Sequence, residues 1–194
     1  MLKVSSSKGI AFVALMAALG NVLSFLSMQL APLVPSIPLG PVSVSLAFDF
    51  SHIATFIAAL LGGSVIGGLT GLVGGSVAAF EFGFSKGNLL TGIGLPLGKA
   101  MTGIAAGYFF QRLKREKIET IVATVVSYTP EAVFTAFIFL YLAPIFLGLP
   151  QAVVFAITLQ ILVKAYFEMI LIGFIVSLIS TSKGFRALEN SLKT

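Results

Sequence analysis

The sequence contains no cysteine and no tryptophan, and its only histidine is His52. Without cysteine the chain can have no disulfide framework, no thiolate zinc site and no cysteine nucleophile. The HExxH motif of zinc hydrolases and the GxSxG motif of serine hydrolases are also missing. These absences argue against an enzyme, and we expect neither a catalytic residue nor a metal site.

Charged residues are scarce as well. Only 10% of the 194 residues are charged, while 57% are hydrophobic. A soluble domain carries about 25% charged residues, because it must cover its core with a wettable shell. The composition therefore predicts an integral membrane protein in contact with lipid. Basic residues outnumber acidic ones by 12 to 7, but their placement around the apolar runs favours a membrane topology signal and no nucleic acid partner.

The apolar runs predict an all-α integral membrane protein, a compact bundle of six transmembrane helices that forms one substrate-binding domain over 1–194. A span needs about 20 mostly apolar residues. The first run has a basic start, as a signal peptide does, but it is long and lacks a convincing cleavage site, so we interpret it as a retained span. The predicted spans lie near 9–30, 48–62, 64–80, 93–111, 119–143 and 152–179.

The basic residues predict the orientation of these spans. With six spans and the N-terminus inside, nine basic residues lie on the cytoplasmic side and only Lys86 lies outside. Merging the second and third spans would leave three inside and seven outside. Because basic residues near span ends favour the cytoplasm, we predict six spans with both termini cytoplasmic.

Glycines recur at four-residue spacing in the third span, at Gly63, Gly67, Gly71 and Gly75. In lipid, small residues allow helix backbones to approach closely. The pattern predicts tight helix packing, with a sliding surface as the alternative. The later stretch "GIGLPLGKA" (92–100) is not a phosphate-binding loop, because its glycine spacing is wrong and Ala100 replaces the required Ser or Thr. We therefore expect no cofactor and no ATP hydrolysis by this chain.

Polar residues inside the spans are the candidates for a functional site. A charge at the centre of a bilayer costs at least roughly 2.5–3.5 kcal/mol, so such groups should face the bundle interior and pair there. Lys164 and Glu131 lie roughly 18 Å from the outer ends of their spans, and Lys99 and Gln160 roughly 9 and 12 Å. The predicted substrate-binding residues are Asp49, His52, Asn88, Lys99, Glu131, Gln160, Lys164 and Glu168.

Two of these groups also have structural interpretations. Lys164 and Glu168 are four residues apart, share one helix face, and can form an ion pair that serves only the fold. Asp49, beside Ser51, is a plausible helix cap. Pro130 can loosen the helix next to Glu131.

The apolar, proline-rich loop over 31–47 is long enough to predict a lid. Aromatic faces suit a flat heterocycle, so we expect an apolar pocket wall made of Phe48, Phe50, Phe80, Phe82 and Phe84.

Three features of the sequence carry a family resemblance: "KGIAFVALMAALGNVLSF" (8–25), "APLVPSIPLGPVSVSLAFDFSHIATFIAALLGG" (31–63) and the glycine-rich spans that follow. Together they resemble an S component, the substrate-binding membrane subunit of energy-coupling factor (ECF) vitamin transporters, over essentially the whole chain. "DFSHIATFIAALL" (49–61) is similar to the riboflavin-specific type, from which His52 and Ala54 depart, and "IPLGPVSVSL" (37–46) is similar to the biotin-specific type. Thiamine-specific members depend on tryptophan, which is absent here.

The resemblance implies a multi-pass subunit in a prokaryotic plasma membrane that captures a vitamin or related small molecule, riboflavin being the first candidate. The solute would pass through an ECF transmembrane coupling subunit, and ATP-binding subunits would consume the ATP. The small residues Ala14 and Ala18 in the first span would dock the coupling subunit.

Two other functions remain as alternatives. A self-sufficient secondary transporter would use Glu131 or Glu168 as a proton carrier, but such proteins commonly carry internal repeats, and we find no convincing repeat. A membrane enzyme would use Asp49 and His52 as acid and base, and it lacks a recognisable nucleophile.

Overall fold

The computed structural model describes residues 4–34, 36–39, 42–45, 48–113 and 116–193, with the backbone alone for 36–39, 42–45 and 192–193. Over these residues the chain is almost entirely helical, which confirms the predicted all-α membrane fold. The α-helices are α1 (Ser7–Leu30), α2 (His52–Gly62), α3 (Ser64–Gly74), α4 (Ser76–Phe82), α5 (Leu89–Arg112), α6 (Lys117–Ser127), α7 (Thr129–Phe137), α8 (Ala143–Leu147), α9 (Gln151–Thr181) and α10 (Lys183–Lys193).

The predicted lid loop contains an antiparallel hairpin of β1 (Ser36–Leu39) and β2 (Val42–Ser45), in which Ser36 is opposite Ser45. A 3₁₀ turn, Ala31–Leu33, precedes it, and the hairpin lies against α9. Residues 35, 40, 41, 46 and 47 of this loop lie outside the described residues. The lid function itself stays a prediction.

Five predicted spans correspond to helices, or to stacks of consecutive helices, that are long and apolar enough to cross a membrane. A 3₁₀ turn (Phe84–Lys86) and a π-helical segment (Ile138–Leu142) occur within two of them. The number of crossings and the cytoplasmic location of both termini stay predictions. Among the described residues, these spans are Ser7–Leu33, Ser64–Lys86, Leu89–Arg112, Lys117–Leu147 and Gln151–Thr181.

The second predicted span is shorter than expected. Only His52–Gly62 is helical, and its 11 residues extend over roughly 16 Å, about half of a hydrocarbon core of roughly 30 Å. At this boundary the N–H groups of Phe50 and Ser51 donate to the side chains of Ser27, on α1, and Asp49. Nearly all of α2 is buried in the bundle. Its apolarity therefore fits a position in the protein core.

The glycines of α3 permit close contact with α5, as predicted. A Cβ atom built on Gly67 would lie 2.5 Å from the carbonyl oxygen of Gly103. A Cβ on Gly71 would overlap the carbonyl group of Lys99. Only hydrogen at these positions allows the two backbones to meet. This contact places the middle of α5, with Lys99, against the centre of the bundle.

Helix α1 packs through one face and exposes the other. Met16, Ala17 and Gly20 are buried, and Gly20 lies against the backbone of Gly74. Asn21 joins α1 to the junction of α3 and α4, because its amide donates to the Val73 carbonyl and accepts from Val77 N–H, each at 3.0 Å. The proposed docking residues Ala14 and Ala18 lie on the exposed side.

Replacing Gly67 by alanine should destabilise the protein by roughly 1–3 kcal/mol, because the new methyl group would meet backbone atoms that cannot move aside. Thermal unfolding in detergent measures this loss. Gly184→Ala is the matched control, since a Cβ at Gly184 meets nothing within 4 Å. Equal melting temperatures of the two variants would contradict the glycine contact.

Candidate functional site

The chain segment before α2 carries the first polar groups of the site. Ser51 N–H donates to Asp49 Oδ1 at 2.9 Å, and Phe50 N–H donates to Ser27 Oγ at 3.2 Å. These bonds replace the helical bonds that are missing just before a helix begins. Asp49 therefore bonds the chain just ahead of the helix and does not cap it, because the N-cap of α2 is Ser51 and has no side-chain capping bond. Asp49 keeps a second carboxylate oxygen for other partners.

Helix α5 supplies a buried cation. The side chain of Lys99 is 3% exposed, and its Nζ lies 3.0 Å from Asp49 Oδ2. Lys99 Nζ also donates to the hydroxyl of Ser51. A buried ammonium group needs an opposite charge and hydrogen-bond acceptors, and the turn before α2 provides both. The ion pair therefore connects α5 to the start of α2.

Helix α7 supplies a buried carboxylate. His52 Nε2 lies 3.1 Å from Glu131 Oε2, which also accepts a 2.6 Å hydrogen bond from Thr102 Oγ1. Gly98 makes room for Glu131, since a Cβ on Gly98 would lie 3.0 Å from Glu131 Cγ. The helix is interrupted at Tyr128, between α6 and α7, next to Pro130 as predicted.

Helix α9 supplies the predicted pair of opposite charges. Lys164 Nζ lies 3.6 Å from Glu168 Oε1, and the same oxygen accepts a 2.7 Å hydrogen bond from the backbone N–H of Asp49. Glu168 therefore joins α9 to the segment before α2. Lys164 is the more accessible partner, with 24% of its side chain exposed against 8% for Glu168.

These contacts form two groups of polar side chains that adjoin at Ser51 and His52, and together they are here called the polar cluster, between α2, α5, α7 and α9. Three carboxylates face two lysines and one histidine, so the charges nearly balance within the protein. Six of its members were predicted from the sequence, and Ser51 and Thr102 were not predicted as site residues. The polar cluster consists of Asp49, Ser51, His52, Lys99, Thr102, Glu131, Lys164 and Glu168.

The other two predicted site residues lie apart from these contacts. Asn88 caps α5, since its Oδ1 accepts from Thr91 N–H at 3.2 Å. Gln160 lies one helical turn before Lys164, and both polar atoms of its side chain are buried. Of the predicted aromatic wall, Phe48 pairs with Phe50 at 6.3 Å between ring centroids. Phe80, Phe82 and Phe84 are exposed.

A small cavity adjoins the cluster at Glu131. Its volume is about 30 Å³, which is about the volume of one water molecule. Within the described residues, no group of three or more His, Cys, Asp or Glu side chains is placed to hold a metal ion. The cavity is lined by Thr91, Gly94, Leu95, Glu131, Thr135, Ile138 and Phe139.

Fold and site together define an almost entirely helical integral membrane protein with a buried polar cluster of nearly balanced charge. The chain belongs to the family of ECF transporter substrate-specific components, whose model matches residues 8–180. The fold is also similar to a solved S component of a bacterial ECF transporter, with a TM-score of 0.52 and 18% identity over 95% of this chain and 97% of that chain. No curated protein matches the sequence.

The two partners in the Lys99–Asp49 pair should respond differently to mutation. Asp49→Asn leaves a buried ammonium without its counter-charge and should destabilise by roughly 3–5 kcal/mol. Lys99→Met should cost less, because the side chain of Asp49 is 32% exposed. Unfolding in detergent measures both variants and the double variant Asp49→Asn/Lys99→Met, which should recover part of the loss.

Lys86→Met is the control for this comparison, since Lys86 is exposed and stacks over Phe82 at 5.2 Å. Its effect should be small. If Asp49→Asn were no more harmful than this control, the ion pair would not contribute to the fold.

Proposed function

We propose that this chain is the solute-capturing subunit of an ATP-driven importer in a prokaryotic plasma membrane. It binds a vitamin or related small molecule from outside and delivers it through a transmembrane coupling subunit, while ATP-binding subunits hydrolyse the ATP. Riboflavin is the first candidate solute because of the similarity carried by "DFSHIATFIAALL" (49–61). Family membership supports the role of a substrate-specific component.

The observation that carries the proposal is the polar cluster. It joins four helices in the interior of a bundle whose outer surface is largely apolar. Ionisable groups at such positions are expensive and mark solute or ion pathways. Their location beside the start of α2 and the hairpin supports a site in one half of the bundle, as expected for a solute that enters from one side.

The cavity volume indicates how capture must proceed. Sites for small organic molecules measure several hundred Å³, whereas the cavity beside Glu131 measures about 30 Å³. A vitamin therefore fits beside Glu131 only if surrounding elements move. The cavity is lined by α5, α7 and the π-helical segment after α7, so we expect the movement there.

The identity of the solute can be tested on the purified protein. Denatured protein should release a bound vitamin, and absorbance and mass spectrometry of the extract should identify riboflavin if the first candidate is correct. Proteoliposomes should take up that solute only when the coupling and ATP-binding subunits are present with ATP. Uptake by this chain alone, driven by a pH gradient, would instead support the secondary transporter that uses Glu131 or Glu168.

The exposed face of α1 is expected to bind the coupling subunit. Ala14→Leu and Ala18→Leu should abolish association with the coupling subunit, because close helix contact tolerates no added volume. Solute binding by the isolated subunit should be unchanged, since neither residue contributes to the polar cluster. Ala152→Leu, an exposed alanine on α9, is the matched control and should associate normally. Loss of solute binding in the α1 variants would place these residues in the fold or the site instead.

A further inference from the structure

Gln160 differs from every member of the polar cluster in its hydrogen bonding. It lies on α9 four residues before Lys164 and eight before Glu168, so the three side chains follow one helix face. Its Oε1 and Nε2 are both buried, and neither has a hydrogen-bond partner among the residues whose side chains the structure describes. The carboxamide therefore combines an unused donor with an unused acceptor.

Such a group is costly in the interior of a membrane protein unless a partner satisfies it. Three other buried side-chain atoms within the described ranges also lack a partner, namely His52 Nδ1, Thr70 Oγ1 and Glu119 Oε2. Gln160 is the member of that set in which two separate atoms, an NH₂ donor and a carbonyl acceptor, are unpartnered side by side. A ligand with a neighbouring acceptor and donor would satisfy both.

The charged groups nearby are already engaged with one another. Lys99 is hydrogen-bonded to Asp49 and Ser51, Glu131 to His52 and Thr102, and Glu168 to the Asp49 backbone, with Lys164 Nζ 3.6 Å from the Glu168 carboxylate. A solute that took one of these partners would leave another charge buried and unpaired, which is strongly unfavourable. On the face of α9 that carries Gln160, Lys164 and Glu168, the side chain that offers both a free donor and a free acceptor is the neutral amide of Gln160.

We propose, on the basis of the proposed function, that Gln160 determines solute specificity by binding a neutral edge with a donor next to an acceptor. A carboxamide, with its carbonyl oxygen and NH₂ group, forms two hydrogen bonds with such an edge. Amides, lactams and cyclic imides carry it, whereas a carboxylate does not. The polar cluster then holds the helices in place around the solute, and Gln160 contacts the solute directly.

In the absence of solute, the protein should become more stable when this amide is removed. Gln160→Leu removes an unsatisfied buried amide while keeping a similar volume, so it should raise the melting temperature by roughly 2–4 °C. The control is Gln151→Leu on the same helix, because the amide of exposed Gln151 donates to the Leu140 carbonyl at 3.4 Å. That variant should not be stabilised. A lower melting temperature for Gln160→Leu would show that its amide has a structural partner, and would overturn the proposal.

Solute binding is tested with matched probes on wild-type protein and on both variants. Thermal-shift and calorimetric titrations compare riboflavin with 3-methylriboflavin, which lacks the imide N–H, and nicotinamide with nicotinate. At least one amide- or imide-bearing probe should bind wild type, and its affinity should fall roughly tenfold or more in Gln160→Leu. The methylated or ionised partner should bind wild type weakly, and Gln151→Leu should resemble wild type.

The outcomes separate this inference from the proposed function. If no amide- or imide-bearing probe binds wild type, if the ionised or methylated probe binds better, or if Gln160→Leu keeps full affinity, then the role of Gln160 is wrong. The importer function stands in those cases as long as a solute is recovered from the purified protein and is taken up with the partner subunits. Failure of uptake with those subunits would refute the function, whatever the behaviour of Gln160.

Discussion

The ammonium group of Lys99 imposes a requirement on the rest of the structure. It is buried in a bundle whose outer surface is apolar, and an unpaired charge there would cost several kcal/mol or more. The chain must bring an acidic group to the middle of α5, and Asp49 does so only because α2 begins inside the bundle. Three features fit the Lys99–Asp49 pairing. They are the half-length of α2, the hydrogen-bonded turn before it and the hairpin ahead of that turn. The glycine contact between α3 and α5 sets how deeply Lys99 lies.

The long spans could be predicted because the signal for them is local. A run of apolar residues about 20 long is sufficient to identify a transmembrane helix, and five of the spans have that form. The boundary of α2 could not be found in this way, because residues 53–62 are as apolar as a lipid-facing segment. The local sequence does not indicate that this segment is enclosed by protein. The bond from Phe50 N–H to Ser27 at the start of α2 depends on where the segment lies relative to α1.

The charged members of the polar cluster were predictable for a similar reason. A lysine or glutamate in an apolar run stands out, and the Lys164–Glu168 spacing implies a shared face. Partners across the bundle were not predictable, since His52 and Glu131 are 79 residues apart. Thr102 gave no signal, because buried threonines in helices commonly bond to a carbonyl of the preceding turn, as Thr124 and Thr158 do here. Its bond to Glu131 is specific to the tertiary structure.

The self-pairing of the cluster limits how a solute can be held. Binding that breaks an internal ion pair must compensate for two desolvated charges, and this consumes most of the interaction energy that a small molecule can provide. Binding that leaves the pairs intact requires only that neutral donors and acceptors be matched. A subunit that must later release its solute is better served by the second arrangement, since neutral hydrogen bonds of roughly 0.5–1.5 kcal/mol each allow selectivity without making the complex too stable. The charges of the cluster would then define the shape of the site, while the uncharged amide of Gln160 would define its chemistry.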